Sequence, residues 1–338
     1  MMYMKNKLMI LLALSPVLLA SCSKDTDESV QAQLEPIKLG TAMQTVTRGN
    51  SQTLQATELE AGQTVGIYVY PKDETEKTGT YGYENIAYTV TGSAGDLAIV
   101  TASQQPYYPE QKNQNVDIYA FAPQVYTGTA ALNTLTAQNV FTTANDQTLD
   151  ANYKASDFVW GKAANVAPQT VSGNSRVTIP LSHKLSKVNI NITWGTGLTQ
   201  DLLTSASIKL NGVQLKGTIN FTTGAVTPST GTNPASAVTL TSATSLVGTF
   251  KSDATKSAFT ASAIIIPQTI AARTDFIEIT LASGTSAVYK YTSTAATTFN
   301  AGEVTTYDIT LDAAGIALTS TISPWTDTTP TTGTAEIQ

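Results

Sequence analysis

One cysteine and one histidine, Cys22 and His183, stand alone of their types among the 338 residues. A metal site built from several His or Cys ligands is thereby excluded, and so is an intramolecular disulfide. A Ser-His-Asp triad needs one imidazole only, but no GxSxG elbow occurs. His183 lies between a strand-like run and "KLSK". The expectation there is a structural histidine at a strand start, hydrogen-bonded to backbone. Paired carboxylates would suit glycoside hydrolysis. The acidic residues, however, gather in "SKDTDES" and "PKDETEKTG" and otherwise stand singly. The first stretch reads as a solvated tether and the second as a hairpin tip of mixed sign. Trp160, Trp194 and Trp325 are scattered, and "PYYP" (106–109) is the only tight aromatic cluster. That pattern favours core or interface plugs over a sugar-binding platform. No GxGxxG, P-loop or calcium-loop pattern is present. These residues assign no catalytic group, no metal site and no cofactor. A net charge of −6 with 13% charged residues argues against nucleic acid as a partner.

Cys22 takes its meaning from what precedes it. Lys5 and Lys7 are followed by a largely apolar run, Leu8 to Leu19, and then by the small residues Ala20 and Ser21. This is the layout of a secretory signal over residues 1–21. The run has 12 residues, too few to span a bilayer. Cys22 is then either a thiol removed with the signal or a lipidation site. "LASC" (19–22) resembles a bacterial lipobox, in which cleavage falls before the cysteine and lipid is joined to its sulfur. The mature chain would begin at Cys22, with a flexible acidic tether over 22–35.

The rest of the chain alternates with the period of β-strands. "TVGIYVYP" (64–71) sets Val65, Ile67 and Val69 on one face. "NVDIYAFAP" (115–123) sets Val116, Ile118 and Ala120 on one face, with Tyr119 and Phe121 on the other. "SKVNINITW" sends Val188, Ile190 and Ile192 one way and Asn189, Asn191 and Thr193 the other. Period-2 alternation predicts one dry and one wet face, as in antiparallel sandwiches. Threonine is the commonest residue, and turn signals such as "SGN", "LNGV" and "ASGT" recur. The fold class is all-β. A polar stretch near 165–181 predicts a boundary, giving domains over 36–175 and 176–338.

Four phrases, in order, resemble the Bacteroidales-type fimbrillins. They are "VTIPLSHKLSKVNINI" (177–192), "ASAIIIPQTI" (261–270), "VYKYTSTAATTFNAGEVTTYDITL" (288–311) and "ISPWTD" (322–327). The third is similar to that family's closing hairpin, with Gly302 in the turn, and "DFVWGKA" (157–163) to a short strand that closes the first domain. Lys24, Asp25, Asp27 and Glu28 resemble the acidic export signal of surface lipoproteins from such bacteria.

The resemblance implies two transthyretin-like antiparallel β-sandwich domains in tandem and a pilus subunit exported as a lipoprotein. An outer-membrane lipid anchor at Cys22 and lipoprotein-processing enzymes are implied with it. An arginine-specific surface protease would cut near the N-terminus, which assigns the cut to Arg48 and Gly49 and makes "PIKLGTAMQTVTR" the removable strand. Its groove would be filled by a strand from another copy or a related subunit. The candidate donor is "GIALTSTISPW" (315–325), with Ile316, Leu318 and Ile322 on one face and Trp325 after them. The same stretch also reads as the last strand of its own domain. The residues leave open a non-polymerising adhesin, a glycan-binding lipoprotein or a pilus anchor that keeps its N-terminal arm.

Overall fold

The computed structural model describes residues 35–43, 59–92, 95–110, 114–126, 128–135, 140–168, 176–195, 197–198, 206–229, 236–241, 251–253, 256–281, 287–312, 315–324 and 333–334. Alternating apolar residues place most of them in strands. The first are β1 (Leu39–Met43), β2 (Thr64–Pro71), β3 (Tyr83–Val90), β4 (Leu97–Ile99), β5 (Val116–Ala122), β6 (Val140–Thr142), β7 (Val159–Val166) and β8 (Val177–His183). There follow β9 (Ser186–Trp194), β10 (Ser207–Val213), β11 (Lys216–Asn220), β12 (Ala225–Pro228), β13 (Ser236–Thr241), β14 (Lys251–Asp253) and β15 (Lys256–Ile265). The last are β16 (Gln268–Ile270), β17 (Asp275–Thr280), β18 (Val288–Thr292), β19 (Thr297–Phe299), β20 (Glu303–Asp312), β21 (Gly315–Pro324) and β22 (Gly333–Thr334). Among the described residues no helix is long and apolar enough to cross a membrane.

A seven-stranded sheet runs in the order β1-β8-β7-β5-β2-β3-β4. Gly40 of β1, at one edge, bridges Asp96 beside β4 at the other, so the sheet curls back on itself. Val65, Ile67, Val69, Val116, Ile118 and Ala120 fill its interior. A second core lies between a four-stranded sheet, β13-β10-β17-β18, and a six-stranded one, β14-β15-β9-β20-β21-β22. Val188, Ile190 and Ile192 enter that core from β9. Asn189 and Asn191 face away and bond Ser262 and Asp308 at 2.7 Å each, as the alternation predicts. The chain is all-β, a sandwich architecture of several sheets.

Four expectations change. In β2 both faces are covered: Tyr68 and Tyr70 join Tyr119, Phe121, Phe158, Ile219, Phe221 and Ile264 in a third cluster. A tyrosine reads as a tolerable surface residue in a sequence, but its ring is mostly apolar. The strand β8 lies beyond residue 175 and yet sits in the first sheet, between β1 and β7, while β6 from before it pairs with β11. Polarity tells that a connecting stretch is solvated, not which sheet the next strand joins. For the same reason β7, within and after "DFVWGKA", is an inner strand paired with both β5 and β8. The segment 288–311 is no hairpin: β18 pairs with β17, β19 with β16, and β20 with β9 and β21. It crosses between sheets, and Gly302 (φ +71°) makes the turn before β20.

Candidate functional site: the slot of the leading strand

The segment that leads into β1 and β1 itself place four side chains inward. Ile37, Leu39, Thr41 and Met43 retain 1, 4, 3 and 6% of their exposure. Ile37, Leu39 and Met43 are part of the core inside the first sheet. Lys38 and Ala42, on the outward positions, are exposed. One edge of β1 runs parallel to β8, with Leu39 opposite Val177 and Met43 opposite Leu181. The Val177 N–H donates to the Lys38 carbonyl at 2.8 Å.

The other edge is pinned at its two ends. Near the start, the Ile37 N–H donates to Pro106 O at 2.9 Å and the Tyr108 N–H to Glu35 O at 2.9 Å. Gln105 Nε2 donates to Ile37 O at 3.1 Å. Near the end, the Thr41 N–H donates to Gly95 O at 2.8 Å and its hydroxyl reaches the same oxygen at 3.3 Å. Between the pins lies a groove of about 570 Å³ whose walls include Leu39, Tyr88, Leu97, Ile99 and Arg176. The Tyr88 hydroxyl has no hydrogen-bond partner among the described residues, and burial pushes its pKa up. Burial first, and then the Glu35 carboxylate, push the Tyr108 hydroxyl up to about 12. "PYYP" is thus a wall of this slot rather than a platform for sugars.

Two glycines permit the crossing. A Cβ on Gly95 would overlap the Thr41 carbonyl oxygen, and Gly95 has φ +68°, so the loop before β4 comes this close only without a side chain. Gly40 holds an outward position and is buried nonetheless. The Arg176 side chain passes over it and pairs with Asp96 on the far side. A Cβ on Gly40 would meet Arg176 Cδ and Nε at 2.8 Å. Sequence reasoning missed Arg176, Asp96 and Gln105 as parts of this site. They are far from β1 along the chain, and no local pattern joins them to it.

The other sequence-derived sites fall as follows. Cys22, Arg48, Gly49 and Trp325 lie outside the described residues. The candidate donor forms β21, antiparallel to β20, with Ile316, Leu318, Ser320 and Ile322 opposite Leu311, Ile309, Tyr307 and Thr305. Directly opposed residues share a face, and Ile316, opposite Leu311, is turned toward the second core. Ile316 packs against that core, and Ile322 stays 49% exposed. His183 ends β8 instead of starting a strand, and its Nδ1 lies 3.0 Å from Asp157 Oδ1 rather than against backbone. Both residues are buried, and the nearby hydroxyls are committed elsewhere. Ser182 bonds Trp160 O at 3.4 Å and Ser186 bonds Asn300 O at 2.6 Å. The pair is a pin between β8 and the segment before β7. Among the described residues no cluster of His, Cys, Asp or Glu is arranged to hold a metal.

These features define a β-sandwich protein whose first core is closed by a separate N-terminal strand. The chain belongs to the fimbrillin-like family, whose sequence profile matches residues 47–325. It is 27% identical over 332 residues to "Putative fimbrium subunit Fim1C" of Bacteroides uniformis, covering 96% of each chain. A crystal structure titled "putative cell adhesion protein" from the same species shares the fold, with a TM-score of 0.60 and 23% identity over 85% of this chain and 99% of that one. A structure under the same title from Bacteroides ovatus has a TM-score of 0.60 and 20% identity over 86% and 98%.

Proposed function

We propose that this protein is a subunit of a cell-surface pilus that polymerises by strand exchange and serves adhesion. In this reading it is exported as a lipoprotein and held to the outer membrane through Cys22. An arginine-specific surface protease cuts between Arg48 and Gly49. The leading strand departs, and a strand of a neighbouring subunit takes its place. Family membership and the fimbrial relative support the pilus, the cell surface and a structural rather than enzymatic role. The two sandwich cores fit two transthyretin-like domains in tandem.

One observation carries the reading: the strand just ahead of Arg48 plugs the first core and is bonded along both edges. Each fully buried apolar side chain contributes about 1.5–3 kcal/mol, and each ladder bond about 0.5–1.5 kcal/mol net. Loss of the strand therefore costs on the order of 5–15 kcal/mol, as much as the whole stability of a domain. It also leaves bare strand edges that template pairing, and a partner's strand restores both terms. Head-to-tail addition does not close on itself and yields a filament.

The test is incubation of the delipidated protein with an arginine-specific protease. Detergent-resistant multimers form a ladder, and Arg48→Ala abolishes it. A docked leading strand also suits an anchor subunit that keeps its arm. A chain that stays monomeric after the cut, with that strand still bound, supports the anchor and ends the exchange reading.

A further inference from the structure

We propose that the parallel pair β9–β20 is the load-bearing element of the subunit, reached from the slot of the leading strand through β8. This rests on the strand-exchange reading above, which puts each subunit under tension between two neighbours. Among the described residues two strand pairs are parallel, β1 with β8 and β20 with β9, and the rest are antiparallel. The two parallel pairs lie in series on one stretch of chain, because Lys184 and Leu185 alone separate β8 from β9. A strand that fills the slot pulls on β8, and β8 passes the pull to the N-terminal end of β9.

The joint between them is braced. The Lys184 N–H donates to Phe158 O at 2.9 Å and the Gly302 N–H to Leu185 O at 2.8 Å. Leu185 is fully buried in the third cluster. Just ahead of it the His183–Asp157 pin, at 3.0 Å, ties the end of β8 to the segment before β7. The buried pair, without a hydroxyl to activate, thereby has a mechanical use.

The strands β9 and β20 pair at eight positions, from Val304 opposite Lys187 to Leu311 opposite Trp194. Both are inner strands, β9 covered by β15 and β20 by β21. Val188, Ile190 and Ile192 stand opposite Thr305, Tyr307 and Ile309, and all six are buried. On the other face Asn191 donates to Asp308 Oδ1 at 2.7 Å, and the Thr193 hydroxyl donates to Ile309 O at 3.3 Å. The Thr193 and Thr310 hydroxyls lie 2.9 Å apart. Two strands that run the same way are loaded lengthwise when one is drawn from its N-terminal end and the other from its C-terminal end. Here β9 is drawn from Leu185 and β20 from Asp312, where the chain goes on toward its C-terminus. The evenly spaced bonds of the ladder are then stretched together, whereas a pull across the pair from one end opens them in turn.

Single-molecule force spectroscopy on the full chain with Cys22→Ser tests this, since Cys22 is the only native thiol. Thr178→Cys in β8 gives the first handle. The second is either Ala314→Cys, beyond the C-terminal end of β20, or Ala301→Cys, just before its N-terminal end. Opening the β9–β20 pair takes at least about twofold more force between 178 and 314 than between 178 and 301, because eight paired positions yield together instead of in turn. Equal forces in the two directions overturn the assignment, and strand exchange then stands or falls on the multimer ladder alone. A direction-dependent chain that forms no ladder carries no filament tension, which removes strand exchange and this inference with it.

Discussion

β1 and β21 lie toward opposite ends of the chain and occupy opposite situations. β1 is sealed into its sheet: five positions pair with β8 on one side, and the other edge is pinned before β4 and at Pro106. β21 pairs at ten positions with β20, and among the described residues its other edge pairs with the two residues of β22 alone. Leu39 retains 4% of its exposure, whereas Ile322 retains 49%. Pattern alone thus does not set how firmly a strand is held; what surrounds it does. A strand enclosed on both edges and one face closes a core, and a strand at a rim can be spared or lent.

The comparison is broken most directly by truncating matched residues. Leu39→Ala removes a buried side chain from the slot and costs about 2–4 kcal/mol, whereas Ile322→Ala costs less than about 1 kcal/mol. Urea unfolding of the two variants measures the difference, and equal losses would show that β1 is no better enclosed than the rim.

Acid should act next, and more on the first sheet. Asp117, in β5, is almost fully buried and accepts from Lys162 Nζ at 2.7 Å and from the N–H groups of Asn165 at 2.7 Å and Asp73 at 3.1 Å. Burial alone would raise its pKa, but these donors outweigh burial and hold it below the ordinary 3.8. In the unfolded chain it binds a proton more readily. Its stabilisation is therefore complete above pH 3.8 and drains away as the pH falls through the lower folded value. Asp275 in β17 is also lowered, first by the Thr292 hydroxyl, but stands in solvent, where such bonds are screened. Hydrogen exchange between about pH 5 and about pH 2 should lose protection in β5 and β7 before β17. The reverse order would contradict this assignment.

The smallest effect sharpens the role of one atom. Thr41→Val keeps the shape of the side chain and removes its hydroxyl bond to Gly95 O, for a loss of about 0.5–1.5 kcal/mol. Thr41→Ser retains the hydroxyl and lies closer to the unmutated protein, which separates the bond from the side-chain volume.

Much of this was legible along the chain. Val65, Ile67 and Val69, or Val188, Ile190 and Ile192, declare inward faces because side chains in a strand alternate by geometry alone. Their partners were less legible. The sequence placed β8 with the second half and joined β18 to β20 in a hairpin, because nearness along the chain is the only distance a sequence contains. Tyr119 and Phe121 were visible as the face opposite Val116 and Ile118. That they form a core with Phe221 and Ile264 from the second half was not.

The sequence by itself determined that this is an all-β chain, and that it has too few imidazole and thiol groups for a multi-ligand metal centre. Those facts follow from residue types and a two-residue period, both local. Only the tertiary structure decided that β1 closes a core, and that Arg176 and Asp96 meet across Gly40 beside it. Such placements depend on backbone hydrogen bonds and side-chain contacts between residues far apart in the chain, and no short-range pattern encodes them.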